Sequence, residues 1–343
     1  MNKSYQARSQ LKASALLLEP QHHFQFSSGL LEDKNPDSAT SSPLPVAWDQ
    51  EPGTQGSTMA QDYMRYQGIP FPFLHHDLEI IKAAHEKFVV KDEAIITVTY
   101  PKSGTNWMIE ILCLIHSKGD PEWIRSVPIW DRSPWIETIR GSKIIKDRKE
   151  GPPLLSSHLP IQIFPKSFFT SKAKVIYVRN PKDVLVSGYH SGSGSKYIKN
   201  PRSLQEFLEW FIEGNLRYGS WFAHVQGWMS MRERENVLVV SYEALKKDTR
   251  STVEKICQFL GKKLDPEELD LVLENSSFQA MKENKMSNHS LLSKNFSSAE
   301  VLMTRKGIVG DWKNHLTVAQ AEAFDQIFQK KMEGFLPEIL LWD

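Results

Sequence analysis

The segment from residue 94 to residue 115 constrains the fold more than any other part of the chain. It begins with a β-branched run, Ala94-Ile-Ile-Thr-Val-Thr-Tyr100, which ends at Pro101. Apolar residues then follow at helical spacing: Met108, Ile111, Leu112 and Ile115. A strand that passes through a short loop into an amphipathic helix is typical of α/β proteins with a parallel sheet.

The same alternation of strand and helix continues along the chain. β-rich runs recur at residues 154–157, 174–178 and 237–241. Helical patterns lie at residues 181–189, 253–260, 266–274 and 318–332, the first of them with a proline in its first turn. The sequence therefore predicts a single α/β domain. We expect a central parallel sheet with helices on both faces and a P-loop-like strand-loop-helix that binds phosphate.

Residues 1–58 differ in composition from the rest of the chain. The stretch at 37–58 is rich in Ser, Pro, Gly and Thr and shows no sustained hydrophobic period. We predict a disordered N-terminal extension over residues 1–58 and one folded domain over residues 59–343. With 40% hydrophobic residues in a chain of 343, that domain can bury a sizeable core.

Charge and cysteine content narrow the classes of partner and compartment. The chain has 42 Lys and Arg against 41 Asp and Glu, a net charge of +1. A protein that binds nucleic acid or an anionic membrane along its surface needs an excess of positive charge, which this chain lacks. The two cysteines, Cys113 and Cys257, have no metal-ligand spacing, and no apolar run approaches the about 18 residues of a membrane span. We predict a cytoplasmic protein with reduced thiols, no nucleic-acid partner and no membrane span.

The loop Tyr100-Pro-Lys-Ser-Gly-Thr-Asn-Trp107 carries the residues that a phosphate cradle requires. The helix that follows offers unpaired N–H groups and Gly104 lets the backbone approach an anion, while Lys102 adds positive charge. Ser103 and Thr105 supply hydroxyl donors. An ordinary capped turn is the simpler reading of the loop alone. The lysine precedes the glycine, so the loop is not a Walker A motif, and no acidic partner for Mg²⁺ stands out as a kinase would need.

Three segments of this chain resemble motifs of the cytosolic sulfotransferases and occur in the same order as in that family. They are the loop above, Arg179-Asn-Pro-Lys-Asp-Val-Leu-Val-Ser187, and Arg305-Lys-Gly-Ile-Val-Gly-Asp-Trp-Lys-Asn314. The segments Ser156-Ser-His-Leu-Pro-Ile-Gln162 and Met281-Lys-Glu-Asn-Lys-Met-Ser-Asn288 are most similar to the hydroxysteroid branch of that family. The resemblance extends from about Met59 to the C-terminus and implies the sulfotransferase fold.

The resemblance also implies a site for the sulfuryl donor 3′-phosphoadenosine 5′-phosphosulfate (PAPS). Its 5′-phosphosulfate would contact Lys102, Ser103, Gly104, Thr105, Asn106 and Trp107. Its 3′-phosphate would contact Arg179, Ser187, Arg305, Lys306 and the Gly307 N–H, which suits a multi-donor cationic site. Its adenine would lie between Trp107 and Phe278, near Tyr242, Ser276 and Met281.

The resemblance implies that His158 is the catalytic base. A histidine at neutral pH can remove a proton from an acceptor hydroxyl, and Lys102 can stabilise the bridging oxygen of the leaving phosphate. No metal is expected. The implied activity is sulfation of a small lipophilic alcohol such as a hydroxysteroid or bile acid. A protein of this fold that binds nucleotide or steroid without turnover remains the alternative.

Two departures from the family pattern bear on activity. The segment between Val175 and Arg179 is one residue shorter than is common in the family, which would move Arg179 unless the adjoining loop compensates. The segment His190-Ser-Gly-Ser-Gly-Ser195 replaces an aromatic-rich stretch near the acceptor pocket. Fewer apolar side chains there predict a different acceptor affinity or choice.

A short C-terminal segment resembles the dimerisation motif of the same family. It comprises Lys313, Thr317, Val318 and Glu322, so that a two-fold axis could pair each lysine with the partner's glutamate. A capped helix start with solvated charges is the simpler reading. We predict a weak homodimer.

Overall fold

The computed structural model describes residues 63–148, 154–171, 174–178, 180–192, 201–291 and 305–335, with the backbone alone at 174–178. A small antiparallel pair is formed by β1 (Tyr63–Tyr66) and β2 (Ile69–Pro72). The main sheet contains β3 (Ile95–Thr99), β4 (Leu154–Ser157), β5 (Lys174–Val178) and β6 (Val237–Ser241). Its order is β4-β3-β5-β6 and each neighbouring pair is parallel, which confirms the predicted parallel sheet.

Helices occupy most of the remaining described chain. They are α1 (Leu78–Glu86), α2 (Thr105–His116), α3 (Glu122–Ser126), α4 (Ile129–Arg132), α5 (Ile139–Asp147), α6 (Pro181–Gly192), α7 (Leu204–Glu213), α8 (Trp221–Met229), α9 (Tyr242–Lys247), α10 (Thr249–Leu260), α11 (Pro266–Asn275), α12 (Phe278–Glu283) and α13 (Val318–Lys331). Short 3₁₀ turns lie at Ile161–Ile163, Lys166–Thr170 and Asp311–Asn314.

Helices pack on both faces of the sheet because the side chains of β3 alternate. Ile96 and Val98 are fully buried in one hydrophobic core, which also contains side chains of α6, α7 and α8. Ile95 packs against a second core built from α2, α10 and α11. The two-sided arrangement predicted from the alternation of strands and helices is confirmed.

Parallel pairing brings the carboxyl ends of the four strands to one edge of the sheet. The loop after Thr99 leads into α2, His158 follows β4, and Tyr242 follows β6. In open α/β sheets ligands bind at this edge, where successive loops diverge. The fold therefore gathers residues that are far apart in sequence.

The described residues contain no helix that is both long and apolar enough to cross a membrane. They also contain no group of three or more His, Cys, Asp or Glu side chains arranged to hold a metal ion.

Candidate functional site

A cavity of about 780 Å³ opens at the carboxyl edge of the sheet and collects most of the predicted site residues. The predicted residues that line it are Lys102, Gly104, Thr105, Asn106, Trp107, His158, Ser187, Tyr242, Phe278, Met281, Arg305, Lys306 and Gly307. Ser103 and Ser276 are each 1% exposed and do not line it. Arg179 lies outside the described residues.

The loop before α2 has the backbone geometry of an anion cradle. Gly104 is left-handed, with φ of 91°, and directly precedes the first residue of α2. Lys102 is also left-handed, with φ of 73°, which is a strained conformation for a residue with a side chain. The first N–H groups of α2 have no acceptor within the helix and carry the positive end of its dipole. The loop can therefore bind an anion through its backbone.

Three buried polar atoms of predicted donor-site residues have no hydrogen-bond partner in the described part of the chain. They are Ser103 Oγ, Trp107 Nε1 and Ser276 Oγ. Buried polar groups in native proteins are nearly always hydrogen-bonded, because leaving one unpaired costs about 1–3 kcal/mol. Trp107 lines the cavity, so its unpaired Nε1 can donate to a polar ligand such as a nucleotide.

A buried carboxylate organises the cations at the far side of the cavity. Asp311 is 1% exposed and receives Arg305 and Lys306, each at 2.7 Å. Burial acts to raise the pKa of Asp311, but the hydrogen bonds from Lys306 and Arg305 outweigh it and hold that pKa well below its usual range. Asp311 therefore stays ionised and fixes both cations at the cavity wall.

The loop that carries these cations is anchored to α6. Asp183 accepts the N–H groups of Gly310 at 2.7 Å and Trp312 at 3.1 Å. Ser187 lies one turn further along α6 and lines the same cavity. Helix and loop therefore present Ser187 and Arg305 to one region, as the predicted 3′-phosphate site requires.

His158 is held by its main chain and by one ring nitrogen. Its N–H donates to Glu137 Oε1 at 2.8 Å, and its Nδ1 lies 2.8 Å from the carbonyl oxygen of Thr99. A carbonyl only accepts, so Nδ1 carries the hydrogen and Nε2 keeps its lone pair. Burial, with a contribution from the Arg217 charge, lowers the pKa of His158 to about 3. The imidazole is therefore neutral at physiological pH and can accept a proton.

A buried polar chain that the sequence did not reveal supports His158. Glu137 is 0% exposed, and burial raises its pKa to about 7. Its Oε1 lies 3.4 Å from the hydroxyl of Tyr218, which in turn lies 2.8 Å from His76 Nε2. His76 Nδ1 lies 3.1 Å from the carbonyl oxygen of Pro72, so this ring also holds its hydrogen on Nδ1. None of these residues belongs to a motif that sequence reasoning recognised.

A second missed cluster ties the segment after α12 to α2. Arg132 pairs with Glu110 at 2.8 Å, and both side chains are fully buried. Ser287 donates to Glu110 at 2.8 Å and accepts from Arg132 at 3.0 Å. Two residues on, His289 Nε2 lies 2.9 Å from Asn106 Nδ2 at the cavity wall. A glutamate inside the apolar run of α2 was the signal available in the sequence.

Comparison with known proteins agrees with this geometry. The family described as "Sulfotransferase domain" matches residues 92–336. The chain is 62% identical over 286 residues to Sulfotransferase 2A1 of Macaca fascicularis, covering 83% of this chain and 100% of that protein. It is 59% identical over 286 residues to a 3-beta-hydroxysteroid sulfotransferase of Cavia porcellus, covering 83% of this chain and 99% of that protein.

Solved structures show the same fold. Mouse sulfotransferase SULT7A1, complexed with PAP, is 30% identical with a TM-score of 0.66, covering 80% of this chain and 95% of that chain. Retinol dehydratase in a complex with retinol and PAP is 19% identical with a TM-score of 0.69, covering 75% and 86% respectively.

Proposed function

Since this chain belongs to the sulfotransferase family, we propose that it transfers a sulfuryl group from PAPS to the hydroxyl of a hydroxysteroid or a similar lipophilic alcohol. The products are adenosine 3′,5′-bisphosphate (PAP) and a sulfate ester. The observation that supports the proposal best is the cavity itself, where His158 and the anion-binding loop line one space. The names of the similar proteins, among them a 3-beta-hydroxysteroid sulfotransferase, support the steroid class of acceptor.

The donor side of the cavity is suited to PAPS. We assign the 5′-phosphosulfate to the loop 102–107 and the 3′-phosphate to Ser187, Arg305 and Lys306, with Arg179 as a further predicted contact. The unpaired Ser103 Oγ and Trp107 Nε1 support this assignment. Phe278 begins α12 and lines the cavity with Met281, which supports an adenine site between Phe278 and Trp107. PAPS supplies the sulfuryl group, and these residues bind and orient it.

The acceptor side contains His158 among apolar side chains. Trp135, Ile139 and Leu74 line the cavity there and suit a lipophilic alcohol. His158 Nε2 would accept the hydroxyl proton as the oxygen bonds to sulfur, while the sulfur's bond to the phosphate oxygen breaks. Lys102 would stabilise the negative charge that develops on that phosphate oxygen.

Two substitutions separate the donor step from the acceptor step. Lys102→Ala should weaken both PAP binding and turnover because Lys102 serves the donor. His158→Ala should leave PAP binding intact and lower kcat about 100-fold or more, because only the base is lost. Labelled sulfate transfer from PAPS to hydroxysteroids measures turnover, and calorimetric titration with PAP measures donor affinity.

Normal turnover in His158→Ala contradicts the role of His158 as the base. PAP binding without any sulfate transfer by the native protein would favour a binding protein instead.

We also propose a weak homodimer through Lys313, Thr317, Val318 and Glu322. Val318 is 75% exposed at the start of α13, and Thr317 caps that helix. Lys313 and Glu322 are exposed and of opposite charge, which supports reciprocal pairing across a two-fold axis. Four residues make a small patch compared with the about 1,200 Å² of a stable interface, so we expect a dimer that dissociates readily with salt.

Val318→Glu should produce monomers that still bind PAP, because it places like charges face to face. Val89→Glu is the matched control, since Val89 is 72% exposed and lies outside the proposed patch. Sedimentation velocity at micromolar concentration distinguishes the two. A monomeric native protein, or a dimeric Val318→Glu variant, rules this interface out.

The proposed compartment is the cytoplasm. Cys113 and Cys257 are buried free thiols, which supports a reducing environment. Subcellular fractionation of the full-length chain tests the assignment, and recovery in a membrane or secreted fraction contradicts it.

A further inference from the structure

The acceptor side of the cavity carries positive charge that the donor does not explain. All charged side chains lining the cavity in the described part of the chain are lysines and arginines, although the whole chain has a net charge of only +1. Lys102, Arg305 and Lys306 belong to the donor side. Arg217 lines the cavity away from these motifs, between α7 and α8.

Arg217 directly precedes a turn that is held by hydrogen bonds to two other segments of the chain. The next two residues, Tyr218 and Gly219, are both left-handed, with φ of 66° and 80°. The Tyr218 N–H donates to the Pro70 carbonyl at 2.8 Å, and the Tyr100 hydroxyl donates to the Gly219 carbonyl at 2.9 Å. A left-handed tyrosine is strained by about 1–3 kcal/mol and persists only where its surroundings hold it. The turn therefore fixes the base of the Arg217 side chain at the cavity.

Arg217 and the proposed base His158 line the same cavity. The positive charge of Arg217 contributes to the lowered pKa values of His158, His76 and His75, and for His158 it acts more strongly than Lys102 does. Tyr218, its neighbour in sequence, packs edge-on against the His158 ring at 5.2 Å. Arg217 therefore acts on the region where the acceptor hydroxyl must lie.

This guanidinium is half-buried and has no partner within the ranges that the structure covers. No carboxylate pairs with it there, and its donors make no hydrogen bond to those residues. By contrast, Arg140, another cation of the cavity wall, pairs with Asp131 at 3.3 Å and lies over the Trp130 ring at 5.1 Å. A partly desolvated cation without a counter-ion is costly, so its retention at a ligand cavity indicates an anionic ligand group.

We propose that Arg217 binds a carboxylate of the acceptor, close to the hydroxyl that receives the sulfuryl group. The assignment rests on the proposed sulfotransferase function and narrows its acceptor class to hydroxylated lipids with a carboxylate near the reacting hydroxyl. An arginine can hold a carboxylate through two parallel hydrogen bonds, which fixes the distance and orientation of the neighbouring hydroxyl. Arg217 is thus a specificity-determining residue.

Three acceptors that share one steroid skeleton test this assignment. The first carries a carboxylate on the ring that bears the reacting hydroxyl, the second is its methyl ester, and the third carries the carboxylate at the opposite end of the skeleton. The native full-length protein should show a kcat/KM at least about tenfold higher for the first acid than for its ester, whereas the third acid should show no such preference. Arg217→Gln should bring the acid-to-ester ratio of kcat/KM to about one, and Arg217→Lys should restore part of the native ratio.

Lys91→Gln is the control for the loss of one positive charge, since Lys91 is exposed and does not line the cavity. It should retain the native ratio. Calorimetric titration of the same acid and ester into protein saturated with PAP measures the preference for the acid without turnover.

Equal affinities or equal kcat/KM values for acid and ester in the native protein, or an equal loss for both in Arg217→Gln, overturn the assignment. A weaker affinity for PAP itself in Arg217→Gln would place Arg217 on the donor instead. Absence of sulfate transfer to any acceptor would instead refute the proposed function, and the binding ratio would still decide the role of Arg217.

Discussion

His158 shows how neighbouring groups select the reactive nitrogen of an imidazole. The Thr99 carbonyl holds the hydrogen on Nδ1, and burial keeps the ring neutral by lowering its pKa to about 3. Glu137 accepts the main-chain N–H of the same residue, so the backbone and the ring are both fixed. Glu137 contacts the main chain of His158 and not its Nε2, the atom that would accept the proton. It is a positioning residue for His158.

Two substitutions of Glu137 distinguish the contribution of its hydrogen bond from that of its charge. Glu137→Gln keeps an acceptor for the His158 N–H, so kcat should stay within a few-fold of the native value. Glu137→Ala leaves that buried N–H unpaired, which costs about 1–3 kcal/mol and should lower kcat about tenfold or more. PAP affinity should change in neither variant, because Glu137 does not line the cavity. Steady-state kinetics and PAP titration test this, and equal kcat losses in both variants would contradict a positioning role.

The residues of the site differ in how far the sequence could predict them. Lys102, Gly104 and Thr105 lie within four consecutive residues, so the sequence alone revealed their motif. They meet at one place because all three belong to a single strand-loop-helix unit. Glu137 and Arg217 reach the site through tertiary packing, and no local pattern distinguishes them from surface residues. The roles of the individual residues remain predictions, and Arg179 lies outside the described chain.

At the scale of elements, the loop at 305–310 and helix α12 meet at a very close contact. Gly307 is left-handed, with φ of 63°, and a Cβ added to it would lie 2.4 Å from Phe278 Cδ2. Real Cβ atoms do not approach carbon so closely, so the ring can keep this position only beside a glycine. The loop thereby fixes one face of the proposed adenine site.

Gly307→Ala should displace the Phe278 ring and weaken PAP binding about tenfold or more. Gly310→Ala is a matched control, because Gly310 is also left-handed, with φ of 80°, but an alanine Cβ at this position would have no neighbouring atom within 4 Å. Both variants carry the same strain of about 1–2 kcal/mol, so their melting temperatures should fall by similar amounts. Equal PAP affinities in the two variants would show that the Phe278 ring does not contribute to the nucleotide site.

Secondary structure was predictable where the hydrophobic period was strong. The strands at 95–99, 154–157 and 237–241 and the helix beginning at Pro181 were all readable from the sequence. Despite the one-residue shortening before Arg179 relative to the family pattern, β5 pairs along its whole length with β6. Short helices such as α3 and α4 were missed, because five or four residues cannot display a helical period. The segment at 193–195, part of the departure that begins at His190, lies outside the described residues.

At the scale of the whole molecule, the sequence predicts that residues 1–58 contribute nothing to the folded domain. A chain that starts at Met59 should therefore keep the melting temperature and sulfotransferase activity of the full-length protein. Differential scanning calorimetry and sulfate transfer measured on both chains test this. Loss of soluble protein on truncation would show that the extension packs against the domain.

Burial of neutral histidines makes the stability of the whole domain depend on pH. His76 and His224 are 5% and 2% exposed, and burial lowers the pKa of each to about 3, as it does for His158. As pH falls below the unfolded value of about 6.5, the unfolded chain takes up protons that the folded chain cannot. The unfolding free energy then decreases by about 1.4 kcal/mol per pH unit for each histidine. Glu137, with its pKa raised to about 7, changes stability in the opposite direction over this range and offsets one histidine.

His289, whose pKa is lowered to about 4, and Glu110, whose pKa burial raises, act in opposite directions and roughly cancel. The net expectation is a loss of about 3 kcal/mol per pH unit as pH falls from 6.5 to 5. For a domain of this size that loss corresponds to a fall in Tm of roughly 5–10 °C per pH unit. His224→Gln removes one titrating group while keeping a side chain that can hydrogen-bond, so its slope should be clearly shallower than the native slope. Thermal unfolding followed by circular dichroism at several pH values measures both slopes. A Tm that stays constant from pH 6.5 to pH 5, or an unchanged slope in His224→Gln, would show that these histidines are not held neutral by burial.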